Sequence, residues 1–535
     1  MGLSTQGQTP CTSRRAASAN QHGASIWHLP LPVRRAAMRA ITHRARPAFS
    51  SLATPAPCAP NDLHSRWPGA APVLVAGAGI AGLSTALALH KVGIPVLVLE
   101  ASLPGQRPSE GSAIGLWANA WRCLDSLGVA DQLRPQFLRL ARAELVRDTG
   151  RSLTSFSFQD TAVGRNAADP GASEFRGVLR SELLRVLGTA LPPACVLRGA
   201  RVLRVLEDGC SSTPHPLPPP SSPHQHAAST ASPQASRPAD SSRSSSRSQS
   251  GAGVGGVAVE LADGRVLRGS MLVGADGVNS GIAGAACLGL PAARYAGYAA
   301  YRGVAELPAG IASLGLPPDT MRQVWGKGTR AGLYPLSPTK LYWFNCFNCP
   351  EDAVVPATAA ARQEDACSHV RGWAWGLEAA IRATPADTIS RSRIKDRWTW
   401  SQYGKGLVTL AGDAAHPMTP NLGQGGCAAL EDAVVLAREL SGVAVSSNGS
   451  DETGAQPSAA ELEQALRRYE AARVGRCLSL TARSGIMGAL LQLPMEPVIS
   501  VRDLFVSHLF SPDHFLDHTQ FDPGALPQPS TQPVA

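Results

Sequence analysis

Uninterrupted apolar runs along the chain predict short strands that are covered on both faces. Three of the runs lead into small residues, and an acid stands at or close behind the end of the other run and of the last two. They are VLVA at 73–76, VLVL at 96–99, LVG at 272–274 and LVTLA at 407–411. Such runs are typical of parallel sheets, whose two faces are both packed against helices. Helical spacing at 83–92 and 427–440 supplies suitable helices. The pattern therefore predicts an α/β unit.

Two other parts of the chain predict hairpins. Between Gln323 and Phe347, the segments QVWGKG, GLYPL and KLYWFNCF form candidate strands, with a turn at Ser337-Pro338-Thr339. Near position 205, VLRVLED is followed after a long gap by VAVELADGRVLRG, in which Asp263-Gly264 is a strong hairpin signal. After Ala460 the sequence ELEQALRRYEAARVGRCLSLTARS has the spacing of a long amphipathic helix.

The gap between those hairpin strands, residues 208–256, is a low-complexity stretch rich in Ser, Pro and His. It has almost nothing to bury, so we predict a disordered insertion. Its place at a hairpin tip makes it compatible with an intact core, because surface loops lengthen at small entropic cost. Residues 446–458 are also polar and predict a surface loop.

The net charge of +9 is unevenly distributed. Residues 1–61 contain seven Arg and no acid, and residues 209–256 add two further net positive charges, which leaves the remainder neutral. A nucleic-acid partner therefore lacks electrostatic support. No apolar run approaches the ~20 residues of a membrane span. Protein partners are not indicated by any pattern.

Residues 1–61 have the Arg-, Ala- and Ser-rich, acid-free composition of an organelle transit peptide, without the apolar core of a secretory signal. A chloroplast address is preferred. A mitochondrial address remains open, because VRRAAMRAITHRAR could form a basic amphipathic helix. A tail without any address is the third interpretation.

The first apolar strand leads into a Gly-rich turn, GAGIAG, in which Gly77, Gly79 and Gly82 occupy the GxGxxG positions. In such turns the first Gly permits the tight turn, the second admits a pyrophosphate, and the third allows close helix–strand packing. Ile80 and Ala81, which stand between the second and third Gly, are further candidate cofactor contacts. Glu100 ends the next strand, where it can bind ribose hydroxyls. We predict a dinucleotide site, and the acid disfavours a 2′-phosphate.

Two later strands end in comparable motifs, Asp276-Gly277 and Gly412-Asp413. The second motif is followed by His416-Pro417 and by a glycine-rich loop that leads into a helix. The loop residues are Gly423, Gln424, Gly425 and Gly426. A helix N-terminus behind a bare loop suits an anionic ligand, although an ordinary β–loop–α connection would also fit.

With these three motifs in order, the chain resembles the FAD-dependent aromatic-ring hydroxylase family, which has the para-hydroxybenzoate hydroxylase-like fold. It is most similar to the plant salicylate-hydroxylase-like and zeaxanthin-epoxidase-like monooxygenases. The resemblance covers roughly residues 72–525 and includes SAIGLWANAWRCLDSLG, EFRGVLRSELLRVL, DRWTW and GDAAHPMTPNLGQGG.

The resemblance implies an α/β fold in which a Rossmann-type FAD-binding lobe is interleaved with a mixed or antiparallel-sheet substrate lobe, followed by a long C-terminal helix. The FAD-binding sections would be residues 72–207, 257–290 and 401–445, the substrate-binding sheet 291–400, and the C-terminal helical segment 459–525.

The same resemblance assigns roles. Arg180 and Asp413 would contact FAD, Asp276-Gly277 would serve both FAD and NAD(P)H, and His416 and Pro417 would lie beside the flavin ring. FAD would be held tightly, reduced by transiently bound NADPH or NADH, and converted by O2 to a C4a-hydroperoxide. That species would hydroxylate or epoxidise a small aromatic or isoprenoid-like substrate. No metal is implied. Family members often carry a basic residue soon after the DG motif, whereas NSGIAGAACLGL has none.

Substrate contacts are expected from the strands between Gln323 and Phe347. The candidates are Trp325, Tyr334, Tyr342 and Phe344, for each of which ordinary sheet packing is an equal alternative. Two other functions remain open: a reductase or oxidase of the same fold that inserts no oxygen, and a non-catalytic FAD-binding protein.

Overall fold

The computed structural model describes residues 69–103, 112–166, 171–207, 256–285, 290–448 and 457–527, together with residues 67, 105 and 169. The predicted transit peptide at 1–61, nearly all of the predicted insertion at 208–256 and much of the loop at 446–458 lie outside the described residues. Within those ranges, no helix is both long and apolar enough to cross a membrane.

The strands, in chain order, are β1 (Val73–Ala76), β2 (Val96–Glu100), β3 (Ala113–Leu116), β4 (Arg142–Arg147), β5 (Ser152–Ser157), β6 (Arg176–Leu179), β7 (Val196–Arg198), β8 (Val202–Glu207), β9 (Val257–Leu261), β10 (Val266–Gly269), β11 (Met271–Gly274), β12 (Arg294–Glu306), β13 (Thr320–Trp325), β14 (Thr329–Pro335), β15 (Lys340–Asn348), β16 (Ser390–Asp396) and β17 (Val408–Leu410). The helices are α1 (Ile80–Lys91), α2 (Ala118–Ser126), α3 (Ala130–Leu133), α4 (Arg180–Thr189), α5 (Gly281–Ala285), α6 (Ala359–Ser368), α7 (Leu377–Arg382), α8 (Gly425–Asn448), α9 (Ala459–Leu491), α10 (Glu496–Leu509) and α11 (Pro512–Leu516).

The four apolar runs and a fifth strand, β7, form one parallel sheet, whose order is β17-β11-β1-β2-β7. Val73 pairs with Met271 and with Val96, and Leu272 pairs with Val408. The strands that precede the three motifs, β1, β11 and β17, are therefore direct neighbours. Because parallel strands end at one edge, their carboxyl ends bring all three motifs together. The predicted α/β class is confirmed.

A second sheet has seven strands in the order β16-β12-β15-β14-β13-β4-β5. All its pairs are antiparallel except β13 with β4. The predicted strands around the 337–339 turn are β13, β14 and β15. The strands β4 and β5 belong to this sheet as well, although we expected their residues within the first FAD-binding section. In β4 and β5, buried positions are interspersed with exposed or partly exposed ones, as in a sheet that is packed on one face. The strands of the parallel sheet, by contrast, are packed on both faces.

The seven-stranded sheet separates two cores. On one face, Tyr342, Phe344 and Cys346 pack into the large core that the parallel sheet also shares. On the other face, Leu341 and Trp343 pack against residues of α6 and α7. Because side chains alternate along β15, Tyr342, Phe344 and Cys346 face the side of the three motifs, and Leu341 and Trp343 face the opposite side.

The small sheet has the order β10-β9-β8, and β8 pairs with β9 antiparallel. The segment 208–256 therefore connects adjacent antiparallel strands, as predicted. At the C-terminus, α9 begins with a capping box in which Ser458 and Glu461 exchange hydrogen bonds. The predicted long C-terminal helix is confirmed as α9. The rest of the predicted helical segment 459–525 contains α10 and α11, and the first break follows Leu491, shortly before Pro494.

Candidate functional site

A cavity of about 630 Å³ lies between the carboxyl edge of the parallel sheet and the inner face of the seven-stranded sheet. Ten predicted site residues line it: Gly79, Ile80, Ala81, Arg180, Gly277, Asp413, Pro417, Gly423, Gly425 and Gly426. The predicted wall residues Tyr334, Tyr342 and Phe344 line it too. The fold thus places the three motifs and an aromatic wall around one space.

The GxGxxG turn is shaped for a close-lying ligand. Gly77 has φ +108°, and a Cβ there would lie 2.5 Å from the carbonyl oxygen of Ala275, so the turn requires glycine. At Gly79, by contrast, no atom lies within 4 Å of the position that a Cβ would occupy. The chain therefore leaves open space beside the N-terminus of α1, where a pyrophosphate would meet backbone N–H groups.

The predicted ribose ligand, Glu100, is 1% exposed. Its Oε2 accepts a hydrogen bond from the Ala78 amide at 2.7 Å, and its Oε1 accepts one from the Ser102 amide at 2.8 Å. These bonds fix the carboxylate behind the GxGxxG turn. Gly77, Gly82 and Glu100 thus support the turn and are not part of the cavity wall.

Three more predicted contacts, Asp276, Gln424 and Gly412, do not line the cavity. Asp276 Oδ2 accepts from the amides of Gly281 and Ile282, at the start of α5. Gln424 is fully buried, and its Oε1 accepts from Asn119 at 2.8 Å. The Gly412 amide donates to Asp432 Oδ2 at 2.7 Å. The side chains of Asp276 and Gln424 and the backbone amide of Gly412 thus stabilise the loops of the two motifs.

Asp413 faces the cavity between the parallel sheet and α8. Burial within the protein raises the pKa of its carboxyl, whereas the charges of His416 and Arg180 lower it. The loop ends in α8, which begins at Gly425, slightly before the Cys427 start that we expected. Its positive end therefore points to the cavity.

His416 does not line the cavity, in contrast to its neighbour Pro417. It is 2% exposed, and its Nε2 lies 2.7 Å from Asp432 Oδ2. Burial alone would lower the pKa of His416, but the Asp432 carboxylate raises it well above its usual range. The imidazole therefore anchors the loop from behind.

His416 belongs to a buried ion-pair cluster with Glu431, Asp432, Arg473 and Arg476. Arg473 Nε lies 2.6 Å from Asp432 Oδ1, and its Nη2 lies 2.7 Å from Glu431 Oε2. Arg476 Nη2 lies 2.9 Å from Glu431 Oε1. Burial would raise the pKa of Asp432, yet His416 and Arg473 lower it to about 2. The cluster joins the loop to α8 and α9.

Within the described residues, His416, Asp432 and Cys477 lie close enough together to hold a metal ion. However, Asp432 already accepts from the Gly412 amide, His416 and Arg473. A positive guanidinium beside the carboxylate disfavours a cation there. We therefore assign this group to hydrogen bonding. Sequence reasoning missed the cluster, whose only local signals were the acid pair after GQGG and two arginines at helical spacing.

Trp325 differs from the expectation. It is 5% exposed and packs with Leu145, Leu491 and Val506, with the Arg502 guanidinium 5.2 Å from its ring centroid. It shares the face of β13 that carries Gln323, but it lies at the end of the strand, beyond the cavity. Trp325 is a packing residue.

The aromatic wall is larger than predicted. Trp117, Phe175 and Phe515 also line the cavity, and the Trp117 and Phe175 ring centroids are 4.0 Å apart. Tyr334 accepts a hydrogen bond from Gln323 Nε2 at 2.8 Å, and burial raises its pKa. Tyr334 is therefore a neutral phenol on the wall. Two cavity arginines, Arg302 and Arg330, were also missed by sequence reasoning.

Comparison with known proteins agrees with this geometry. The family model described as "FAD binding domain" matches residues 70–452. Aurachin C monooxygenase/isomerase of Stigmatella aurantiaca is 31% identical over 418 residues, which cover 78% of this chain and 89% of that protein. Monooxygenase 2 of Arabidopsis thaliana is 28% identical over 465 residues, which cover 86% of this chain and 98% of that protein.

Among solved structures, Klebsiella pneumoniae HpxO complexed with FAD and uric acid superposes with a TM-score of 0.65 and 26% sequence identity. The match covers 86% of this chain and 97% of that chain. The family match spans most of the residues that form the cavity. The chain therefore belongs to the FAD binding domain family and is an FAD-dependent monooxygenase of the aromatic-ring hydroxylase type.

Proposed function

We propose that the protein uses NADPH or NADH and O2 to hydroxylate or epoxidise a small aromatic or isoprenoid-like substrate in this cavity. One observation carries the proposal. The space left open by the GxGxxG turn and the Asp413 loop is continuous with an aromatic wall on the other sheet. A cofactor and an organic ring would therefore meet inside a single enclosure.

The residues present fit FAD. The open space at Gly79 suits a pyrophosphate, and the carboxylate of Asp413, which lines the cavity inside the protein, suits hydroxyl groups of the cofactor. The N-terminus of α8 offers a positive potential to an electron-rich ring edge. When bound, FAD would supply hydride acceptance from the nicotinamide nucleotide and the activation of O2.

The protein itself would orient the substrate and exclude water from the reacting atoms. Tyr334, Tyr342 and Phe344 lie on one face of adjacent strands, and neighbouring ring centroids are about 6 Å apart. These rings would hold a planar substrate and exclude water from the reacting atoms. Pro417 and the 423–426 loop would form the opposite wall.

A nicotinamide nucleotide would enter this same enclosure, because the sequence contains a single GxGxxG strand–turn–helix unit. Gly277 lines the cavity from the Asp276-Gly277 motif. This supports our proposal that the motif serves both nucleotides. The names of the relatives point to different molecules, aurachin C and uric acid, so similarity leaves the substrate open.

The test is an anaerobic visible spectrum of the full chain, before and after NADPH or NADH, with phenols, quinolones and carotenoids added in turn. We expect a flavin spectrum that is bleached by the reduced nucleotide, and oxygen uptake with formation of hydroxylated or epoxidised product after air is admitted. Bleaching and oxygen uptake without oxygenated product would support the reductase or oxidase alternative. A protein that cannot take up FAD would overturn the proposal.

We further propose that residues 1–61 direct the protein to the chloroplast. The acid-free, Arg-rich composition and a relative from Arabidopsis thaliana support this. A fluorescent protein carrying residues 1–61 should enter isolated chloroplasts. Import into mitochondria instead would replace this assignment with the mitochondrial one.

A further inference from the structure

The helix α10 exposes most of its large apolar residues. The exposed ones, which we call the outer stripe, are Val498, Val501, Leu504, Phe505 and Leu509. The residues that α10 buries are Ile499, Arg502, Asp503 and Val506. A surface helix normally buries its apolar side and exposes its charged side. In α10, by contrast, an Arg-Asp pair faces the protein and five large apolar residues face outward.

The contacts of the buried side fix this orientation. Arg502 Nη2 lies 2.7 Å from Asp503 Oδ1, and Asp503 Oδ2 lies 2.6 Å from Arg147 Nη1 on β4. Val506 packs into the same cluster as Trp325. These ion pairs and apolar contacts would be lost if α10 rotated to bury the outer stripe. The stripe is therefore exposed because of how the helix is anchored.

The exposed apolar surface is unusually large. Eight of the fourteen exposed large apolar residues in the described part of the chain lie between positions 486 and 509; besides the outer stripe they are Ile486, Leu490 and Met495. The end of α9 and α10 pack on one cluster, through Met487 and Val506, so their outer surfaces adjoin. At about half exposure, eight such side chains present on the order of 800 Å². The largest apolar patch of a typical monomer is about 300–600 Å², whereas one side of a standard protein interface is about 800 Å².

The charges of α10 favour a second copy of the chain over a lipid surface as the partner of the stripe. The stripe itself contains no charged residue, and the single Arg of α10, Arg502, is buried with Asp503. Helices that lie on membranes carry Lys and Arg beside their apolar side, and α10 exposes neither. In a twofold dimer each surface meets its own copy, so a charged surface would meet its like charge, whereas an uncharged apolar surface fits itself.

We propose that the protein is a homodimer in which the outer stripe of α10 packs against the outer stripe of a second copy. Val498, Val501, Phe505 and Leu509 recur at three- and four-residue spacing and therefore lie along one side of the helix. Two such helices related by a twofold axis would cross with Val501 and Phe505 near the centre of the contact.

Analytical ultracentrifugation of the full chain at micromolar concentration tests the inference. We expect a particle of about twice the chain mass of 55.7 kDa. In the double variant Val501→Glu/Phe505→Glu, four carboxylates would meet across the twofold axis, so dimerisation should weaken at least about 100-fold. Both side chains point outward, so the variant should keep the circular dichroism spectrum of the wild type.

Val354→Glu/Val355→Glu is the matched control, because these two valines are also exposed but lie outside α10. This variant should remain dimeric. The variant Val501→Lys/Phe505→Lys should be monomeric alone and should form a mixed dimer with Val501→Glu/Phe505→Glu. A mixed dimer requires both variants to be folded and the two stripes to face each other.

A monomeric wild type, a dimer that Val501→Glu/Phe505→Glu retains, or the absence of the mixed dimer would overturn the inference. Two further results would overturn it by identifying another partner of the stripe. If a monomeric wild type floats with vesicles of phosphatidylcholine and phosphatidylglycerol, the partner is a lipid surface. If dimers form only after residues 1–61 are removed, the partner is that segment of the chain.

Discussion

Arg330 and Arg473 are both almost fully buried, yet the charges around them differ. Arg473, on α9, pairs with Glu431 and Asp432 of α8, and a carboxylate oxygen of each lies within 2.7 Å of one of its nitrogen atoms. Arg330 lies on the cavity wall among amide oxygens and aromatic rings. Burial is equal in the two places, so burial alone does not distinguish a structural arginine from one that meets a ligand.

The distinguishing feature is whether the protein itself supplies the opposite charge. In the ion-pair cluster, both carboxylates pair with basic side chains of the protein itself, so the charge of Arg473 is offset without a ligand. On the cavity wall, the hydrogen-bond partners of Arg330 are the neutral amides of Gln323 and Asn421, and neither of them supplies an opposite charge. Stability should therefore depend on the first arginine and ligand selection on the second.

The largest expected effect comes from removing the guanidinium of the complete cluster. Arg473→Met removes the guanidinium that two buried carboxylates share, so the free energy of unfolding should fall by about 3–5 kcal/mol. Urea unfolding at neutral pH measures it. The control is Arg468→Met, whose side chain is 45% exposed and pairs with Glu439. That change should cost no more than about 1 kcal/mol. Equal losses in the two variants would contradict the assigned role.

Arg330→Met should show the opposite profile. The unfolding free energy of the ligand-free protein should stay the same or rise, because an uncompensated buried charge is removed. Because Arg330 lines the cavity, kcat/KM for the hydroxylated substrate should fall about 100-fold, the cost of losing a buried charged contact. Unfolding curves and steady-state kinetics measure the two quantities. A loss of stability as large as that of Arg473→Met would remove the distinction between the arginines.

The pH dependence of the free energy of unfolding tests the contribution of His416 to the ion-pair cluster. The pKa of His416 is raised by Asp432 in the folded state, so its contribution is fully present below about pH 6.5 and is lost as the pH rises through the folded pKa. Relative to His416→Gln, the wild type should be more stable by about 1.5–3 kcal/mol at pH 6. The gap should narrow toward alkaline pH, and urea unfolding from pH 5 to 10 follows it. A gap that widens with pH would be inconsistent with the charged pair.

The sequence predicted those features that depend on neighbours in the chain. Gly77, Asp276 and Asp413 each follow an apolar strand, so the shared edge of a parallel sheet could be inferred. Tyr334, Tyr342 and Phe344 were candidates on predicted strands, and alternation along the paired strands places them on one face. For Trp325 the structure shows sheet packing, the alternative that the sequence left open, because alternation gives the face but not the distance along the strand from the cavity.

The charges around Arg330 and Arg473 could not be predicted in this way. Glu431 and Arg473 are 42 residues apart, and Arg330 and Asn421 are 91 residues apart. Nothing local tells which of the many arginines will find a carboxylate after folding. The decisive information is the three-dimensional arrangement of charges, which the fold supplies.

The smallest expected effect concerns the space beside two glycines of the GxGxxG turn. At Gly82 a Cβ would lie 1.8 Å from the Gly77 carbonyl oxygen, whereas at Gly79 it would meet nothing within 4 Å. Gly79→Ala should therefore leave the thermal midpoint of the FAD-free protein nearly unchanged and weaken FAD binding about tenfold, because its methyl group occupies the space for the pyrophosphate. Gly82→Ala, the matched change one turn of helix later, should lower the thermal midpoint even without FAD. Titration of the FAD-free protein with FAD and parallel melting curves measure both. If Gly79→Ala binds FAD as tightly as the wild type, the open space at this turn is not where the pyrophosphate lies.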